Sequence, residues 1–183
     1  MIYFDLANPT FDLIMPVITD LHKIKEFIIP IVILFVVLFI FKYKRQGLTY
    51  FIFLLLSLSL NDFIGAQVKH AVQRERPFQN TELNVVQKSP AHDGKSFYSN
   101  HAANMFCLAA YTGSFFPPAK LVLIPFAALV AYSRVYNGVH YPSDVLVGSL
   151  VGFLIGSLIA YFVKNKMLVY IKKQAEKITG DES

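Results

Sequence analysis

The chain has 183 residues, 55% of them hydrophobic and 16% charged, with a net charge of +5. Soluble domains carry about 25% charged residues, and a soluble fold this small keeps too much surface to hide so many apolar side chains; the mean hydropathy of +0.47 fits a bilayer instead. The positive charge falls in short clusters between apolar runs, which suits membrane flanks and anionic ligands and argues against a nucleic-acid partner.

In chain order, the N-terminus does not read as a signal peptide: Asp5 stands where a basic region is needed. Asn8 and Pro9 then open a short helix whose Phe11, Ile14, Met15 and Ile18 share one face, read as lying in the membrane interface. Five apolar stretches follow, and a spanning helix needs about 20 such residues. They run over 27–41, 48–68, 100–116, 121–136 and 142–163. Lys42, Lys44 and Arg45 end the first, and Pro117 and Pro118 end the third. The third and fourth carry Ser, Thr, Asn and Tyr, which suggests protein-facing sides. The third also holds the one cysteine, Cys107, so no intrachain disulfide and no cysteine-based metal site is expected. In the fifth, Gly148, Gly152, Gly156 and Ala160 recur every fourth residue; packing inside the bundle is favoured over a dimer face. The tail is lysine-rich (Lys166, Lys172, Lys173, Lys177).

The expected fold is therefore all-α: one integral-membrane helical bundle over 1–183, with an interfacial helix in 1–24. A transmembrane core of about five helices occupies 25–163, with an active-site loop over 69–99 and a cytoplasmic tail over 164–183. Basic loops stay in the cytoplasm, so the loop holding Lys42, Lys44 and Arg45 lies inside with the tail. The loop over 69–99 then lies outside.

Three clusters carry chemistry: Lys69 with Arg76-Pro77, then Ser99-Asn100-His101, then Ser133-Arg134 with His140 and Asp144. They fall at the end of the second span, the start of the third, and across the turn between the fourth and fifth. Alternating spans bring all of these to one face. Lys69, Arg76 and Arg134 packed together repel unless an anion lies between them, and guanidinium groups match phosphate oxygens. Ser99 adds a hydroxyl and the helix start adds backbone N–H donors. His140 and Asp144 are one helical turn apart, so the carboxylate can hold one ring nitrogen while the other attacks phosphorus. His101, from another helix, can protonate the leaving oxygen and later activate water. Each residue alone means little, and a single Lys or Arg at a span end is usually a snorkelling anchor. Nine ordered positions at one face carry the weight. His70, His101, His140 and Asp144 can be drafted as metal ligands, but three cations oppose a divalent ion; no metal and no cofactor is expected. Asp62, with Asn61, offers a rival reading as an anionic-lipid binding or transport protein. Asp62 lies seven residues before Lys69 on one helix face, so bracing that lysine or bonding a neighbouring helix is favoured.

At these residues the chain resembles the type-2 phosphatidic acid phosphatase superfamily, whose signature reads here as KHAVQRERP, YSNH and SRVYNGVHYPSD. The resemblance spans Lys69 to Asp144 and implies a metal-independent lipid phosphatase. It implies phosphate binding by Lys69, Arg76, Ser99, Asn100 and Arg134, with Asn100 offering its backbone N–H. It implies catalysis by His140 (forming a phosphohistidine), Asp144 (orienting it) and His101 (general acid). Tyr98 stands where the family has proline, and Asn100 where it has glycine. The small size and the opening FDLIMPVITDLHK look like bacterial envelope phosphatases. That likeness implies a phosphorylated membrane lipid, lipid A 1-phosphate first, at the periplasmic face of the inner membrane. Phosphatidylglycerophosphate and undecaprenyl diphosphate are the alternatives, and the same residues would serve a phosphotransferase.

Overall fold

The computed structural model describes residues 8–19, 25–90 and 94–180, with the side chains of 25–28, 31 and 169–180 left aside. Among the described residues five α-helices follow in order: α1 (Pro9–Thr19), α2 (Lys25–Val72), α3 (Asn100–Phe115), α4 (Lys120–Tyr136) and α5 (Pro142–Gly180). Among the described residues there is no strand. The all-α membrane bundle expected above is the fold found, with refinements in how the spans are made.

The first two expected spans are one element, α2, broken at Lys44, whose backbone turns left-handed (φ 48°, ψ −126°). The break falls in the KYKRQG stretch, where charge interrupts two apolar limbs. The two limbs stay in contact: the Phe39 ring lies 5.5 Å from Tyr50 and 5.3 Å from Phe51. Among the described residues three helical stretches are long and apolar enough to cross a membrane: the one containing both limbs of α2, then α4 and α5.

Helix α3 differs from them. It has 16 residues, short of the roughly 20 that a crossing needs. It is enclosed rather than lipid-facing, packing on α2, α4 and α5, with Ala102, Ala103, Cys107, Ala109, Ala110, Tyr111 and Gly113 buried. The glycine stripe of α5 explains how close that packing is. A Cβ at Gly148 would lie 2.6 Å from the Ser99 carbonyl oxygen, and Cβ atoms at Gly152 and Gly156 would strike the carbonyls of Ala103 and Cys107. The stripe thus seats α3 within the monomer, as favoured from the sequence.

Helix α1 docks on the end of α4. Met15 and Thr19 are buried, and Thr19 Oγ1 meets Ser133 Oγ at 2.5 Å. The Tyr136 hydroxyl donates to Asp12 Oδ1 at 2.5 Å, and Lys88 Nζ pairs with the same oxygen at 2.5 Å. Leu13 and Val17 stay exposed, so α1 carries an apolar outer face while fixed to the bundle by polar bonds. At the opposite end of the molecule Arg45 and Lys166 line one cavity of about 310 Å³. The basic loop and the start of the lysine-rich tail therefore share a side, as the alternation of spans requires. The tail backbone remains helical to Gly180; the side chains of Lys172, Lys173 and Lys177 lie outside the described residues, as do residues 1–7 with Asp5.

Candidate active site

The site forms where α2 ends, α3 begins and α4 turns into α5. Helix α2 stops at Val72, and Gln73 takes a left-handed turn (φ 52°) that sends the chain back across the bundle end. Arg76 follows in extended conformation, followed by Pro77 at the start of a single 3-10 turn. Between α4 and α5, Gly138 (φ 71°) makes the tight turn that delivers His140. Tyr141 then caps the turn, and Pro142 opens α5 with Asp144 in its first turn.

Arg76, 7% exposed, is fixed from several sides. Its Nε donates to the Gly94 carbonyl at 2.9 Å and Nη1 to the Val139 carbonyl at 2.9 Å. Nη1 also lies 3.3 Å from His140 Nε2. These bonds use Nε and Nη1 and not Nη2. His140 is 3% exposed, and its other nitrogen, Nδ1, lies 3.4 Å from Asp144 Oδ2. A carboxylate facing Nδ1 favours a proton there, which leaves Nε2 with its lone pair on the Arg76 side.

Asp144 is fully buried and held in turn. Its Oδ2 accepts from the Tyr141 backbone N–H at 2.9 Å, and Oδ1 accepts from Arg74 Nη1 at 2.9 Å. Arg74 also donates to Ser143 Oγ and lies over the Tyr141 ring, 3.8 Å from its centroid. Arg134 is 4% exposed, and its charge, with that of Arg76, acts on His140. Burial pushes the His140 imidazole down to about 4; the Asp144 contact opposes this, and the two guanidinium groups reinforce it. Burial and the two guanidinium groups thus favour the uncharged ring.

Ser99 caps α3, its hydroxyl accepting the Ala102 N–H at 3.4 Å while its own N–H donates to the Asp144 carbonyl at 3.1 Å. Its buried hydroxyl accepts in that bond and keeps its own proton to donate. Lys69 Nζ donates to the Tyr98 carbonyl and, at 2.6 Å, to Asn100 Oδ1. The charges of Arg76 and Asp144 both reach it. His101 is exposed on the first turn of α3 and lines a cavity of about 440 Å³ with Asn100, Asp62, Asn104 and Thr19.

A family model for the PAP2 superfamily matches residues 46–168, two thirds of the chain and all of this site. The chain belongs to the PAP2 superfamily. Among its relatives, an undecaprenyl-diphosphatase of Sulfolobus acidocaldarius is 33% identical over 63% of this chain and 54% of that one. A lipid A 1-phosphatase of Rhizobium johnstonii is 27% identical over 55% of this chain and 42% of that one. The chain spans about half the length of such relatives, or less. A solved transmembrane PAP2 type phosphatidylglycerolphosphate phosphatase from Bacillus subtilis shares the fold, with a TM-score of 0.72, 23% identity, and coverage of 90% of this chain and 82% of that one.

Within this PAP2 fold Lys69, Arg76, Ser99, Asn100, Arg134, His140 and Asp144 gather at one bundle end, as the topology argument required. His101 opens to the adjoining cavity. Ser133 is buried and bonded to Thr19 and to the Val130 carbonyl. Sequence reasoning missed Arg74. The only signal was a second arginine two residues before Arg76, in a stretch read for its family spacing alone. Asp62 accepts hydrogen bonds from Asn100 Nδ2 at 3.0 Å and Asn104 Nδ2 at 2.9 Å, so it bonds a neighbouring helix as favoured above.

Proposed function

We propose that this protein is a metal-independent lipid phosphatase working through a phosphohistidine. The observation that carries the reading is the His140 ring, with Nδ1 facing Asp144 Oδ2 at 3.4 Å and Nε2 3.3 Å from Arg76 Nη1. A phosphoryl group cradled by Arg76 Nη2, Arg134, Lys69, the Ser99 hydroxyl and the N–H groups at the start of α3 would lie in front of Nε2. The lone pair of Nε2 attacks phosphorus, and the bond from phosphorus to the lipid oxygen breaks. His101 gives its proton to that oxygen. His101 then takes a proton from water, whose oxygen attacks the phosphohistidine, releasing phosphate and regenerating the neutral ring. The cations stabilise charge on the equatorial oxygens in both steps.

The substrate is a phosphorylated membrane lipid, with lipid A 1-phosphate proposed first. Support comes from the resemblance of the opening segment to envelope phosphatases and from the similarity to a lipid A 1-phosphatase. Undecaprenyl diphosphate and phosphatidylglycerophosphate present the same terminal phosphoryl group and are the alternatives. The positive-inside pattern supports a site facing the periplasm of the bacterial inner membrane.

The test is phosphate release by purified protein in detergent with EDTA present, across these three lipids and phosphatidic acid, beside His140→Ala. Release that survives EDTA and collapses in the variant is expected. Release that requires added divalent metal would sink the mechanism.

A further inference from the structure

Asn100 occupies the position where the family pattern has glycine, and its side chain is engaged at both ends. Its Oδ1 accepts from Lys69 Nζ at 2.6 Å, while Nδ2 donates to Asp62 Oδ1 at 3.0 Å. The orientation of the amide follows from charge: its carbonyl end faces a cation and its amino end faces an anion. Turning it over would place both ends against like partners. Asp62 is itself steadied by Asn104, whose Nδ2 donates to the same oxygen at 2.9 Å and whose Oδ1 accepts from Asn61 at 3.1 Å.

Helix α2 is shaped to receive that amide. Asp62, Gly65 and Lys69 fall at i, i+3 and i+7, one face of the helix. Between the anion and the cation stands Gly65, where an added Cβ would lie only 2.5 Å from Asn100 Oδ1. Any side chain there would push the amide out of line with Lys69.

Lysine needs such restraint. Its ammonium sits on a flexible four-carbon stem and has three donors. Tyr98 and Asn100 take two, leaving the third for a phosphate oxygen. Building on the phosphatase reading above, we propose that Asn100 is a positioning residue. It couples Asp62 to Lys69 across the gap at Gly65 and aims the ammonium at the substrate phosphate. This goes beyond the backbone N–H that the resemblance assigns to this position.

A double-mutant cycle in the full-length protein tests it, using phosphate release from whichever lipid of the panel the wild type hydrolyses fastest. Asn100→Gly restores the family residue and keeps the backbone N–H while removing the side chain with its amide; it should lower kcat/KM about tenfold. Lys69→Met should cost more, and adding Asn100→Gly to it should cost nothing further. Gly65→Ala, which keeps all three polar side chains, should behave like Asn100→Gly and also lose its effect in the Met background. Asp62→Asn, which keeps an oxygen for both amides, should retain more activity than Asp62→Ala. Losses that multiply in the double variants, or that track a fall in thermal midpoint in both backgrounds, overturn the coupling and leave Asn100 a packing residue. A wild type that releases no phosphate overturns the phosphatase reading, and this inference with it.

Discussion

The two ends of the bundle are built by the same helices in different ways. At the end where α3 begins, it carries Ser99, Asn100 and His101, and its neighbours bring Lys69, Arg76, Arg134, His140 and Asp144. Four of these (Ser99, Arg134, His140 and Asp144) are no more than 4% exposed, and charged or polar contacts hold them. At the end where α3 stops, Tyr111 and Phe115 meet Tyr50, Leu54 and Phe39 in a cluster of rings. Even there the hydroxyls are satisfied: Tyr111 donates to the Tyr50 carbonyl at 2.9 Å, and Tyr50 meets Thr112 Oγ1 at 2.7 Å. In a bilayer, lipid tails are as apolar as the side chains, so close packing and internal hydrogen bonds hold helices together. The aromatic end meets both needs with neutral groups. The polar end instead gathers Lys69, Arg74, Arg76 and Arg134 around the carboxylates of Asp144 and Asp62, and such concentrated buried charge is more typical of sites than of cores.

If the ends divide the labour this way, substitutions at the polar end should remove activity while the fold persists. The largest effect is expected for His140→Ala, a loss of about 10^4-fold or more in kcat. Its thermal midpoint in detergent should stay near that of the wild type, because the turn at Gly138 and the start of α5 hold the backbone independently. His101→Ala should come next, about 10^3-fold, in the range of a lost general acid. A leaving group that departs without protonation, such as p-nitrophenolate from a p-nitrophenyl phosphate monoester, should shrink that deficit. An equal deficit on both substrates would remove His101 from the proton-transfer role.

Arg74→Ala sharpens the comparison further, because Arg74 touches Asp144 and not the phosphate region. A loosened Asp144 lets the imidazole swing, and a small misplacement costs about 10- to 100-fold. The loss should appear in kcat more than in KM, and Arg74→Lys should recover part of it. A pure KM effect would make Arg74 a substrate contact instead.

Acidity offers a smaller, graded test. The His140 ring is pushed down to about 4 by burial, opposed by Asp144 and assisted by Arg76 and Arg134. In the proposed mechanism the neutral ring attacks, so kcat/KM of the free enzyme should fall only as pH drops through about 4, far below the usual imidazole range. Removing a neighbouring cation relieves part of the depression, so Arg134→Gln should move this acid limb upward. A limb that stays put in that variant would mean another group controls it.

How much of this was legible depends on the kind of signal each residue leaves. The polar end was readable because span alternation fixes which helix ends meet, whatever the sequence distance. His140 and Asp144 were readable as one helical turn with Pro142 between them. Arg74 was not, because α2 ends at Val72 and periodicity says nothing past the left-handed Gln73. The docking of α1 was not, because Tyr136 and Asp12 lie 124 residues apart with no motif to join them. The side-chain role of Asn100 was hidden for a related reason: the family comparison directs attention to the backbone N–H, and the amide's partners sit on another helix. The glycine stripe announced a close approach without naming the partner, since Ser99, Ala103 and Cys107 offer only their carbonyls to it.

The smallest effect on activity should come from the other end. Tyr111 is fully buried, ringed by Tyr50 and Phe115, and more than two helical turns from the catalytic end of α3. Tyr111→Ala leaves a void that its neighbours cannot fill and strips a hydrogen bond from the Tyr50 carbonyl. The thermal midpoint should drop by several degrees, since large-to-small changes at buried rings are among the costliest. Among molecules that remain folded, kcat should stay within about twofold of the wild type, because no part of the His140, Asp144 and Arg76 geometry rests on that ring. Measured well below the lowered midpoint, a preserved kcat separates scaffold from site. A kcat that falls with the midpoint, even at low temperature, would show that α3 transmits strain along its length and that the two ends are one mechanical unit.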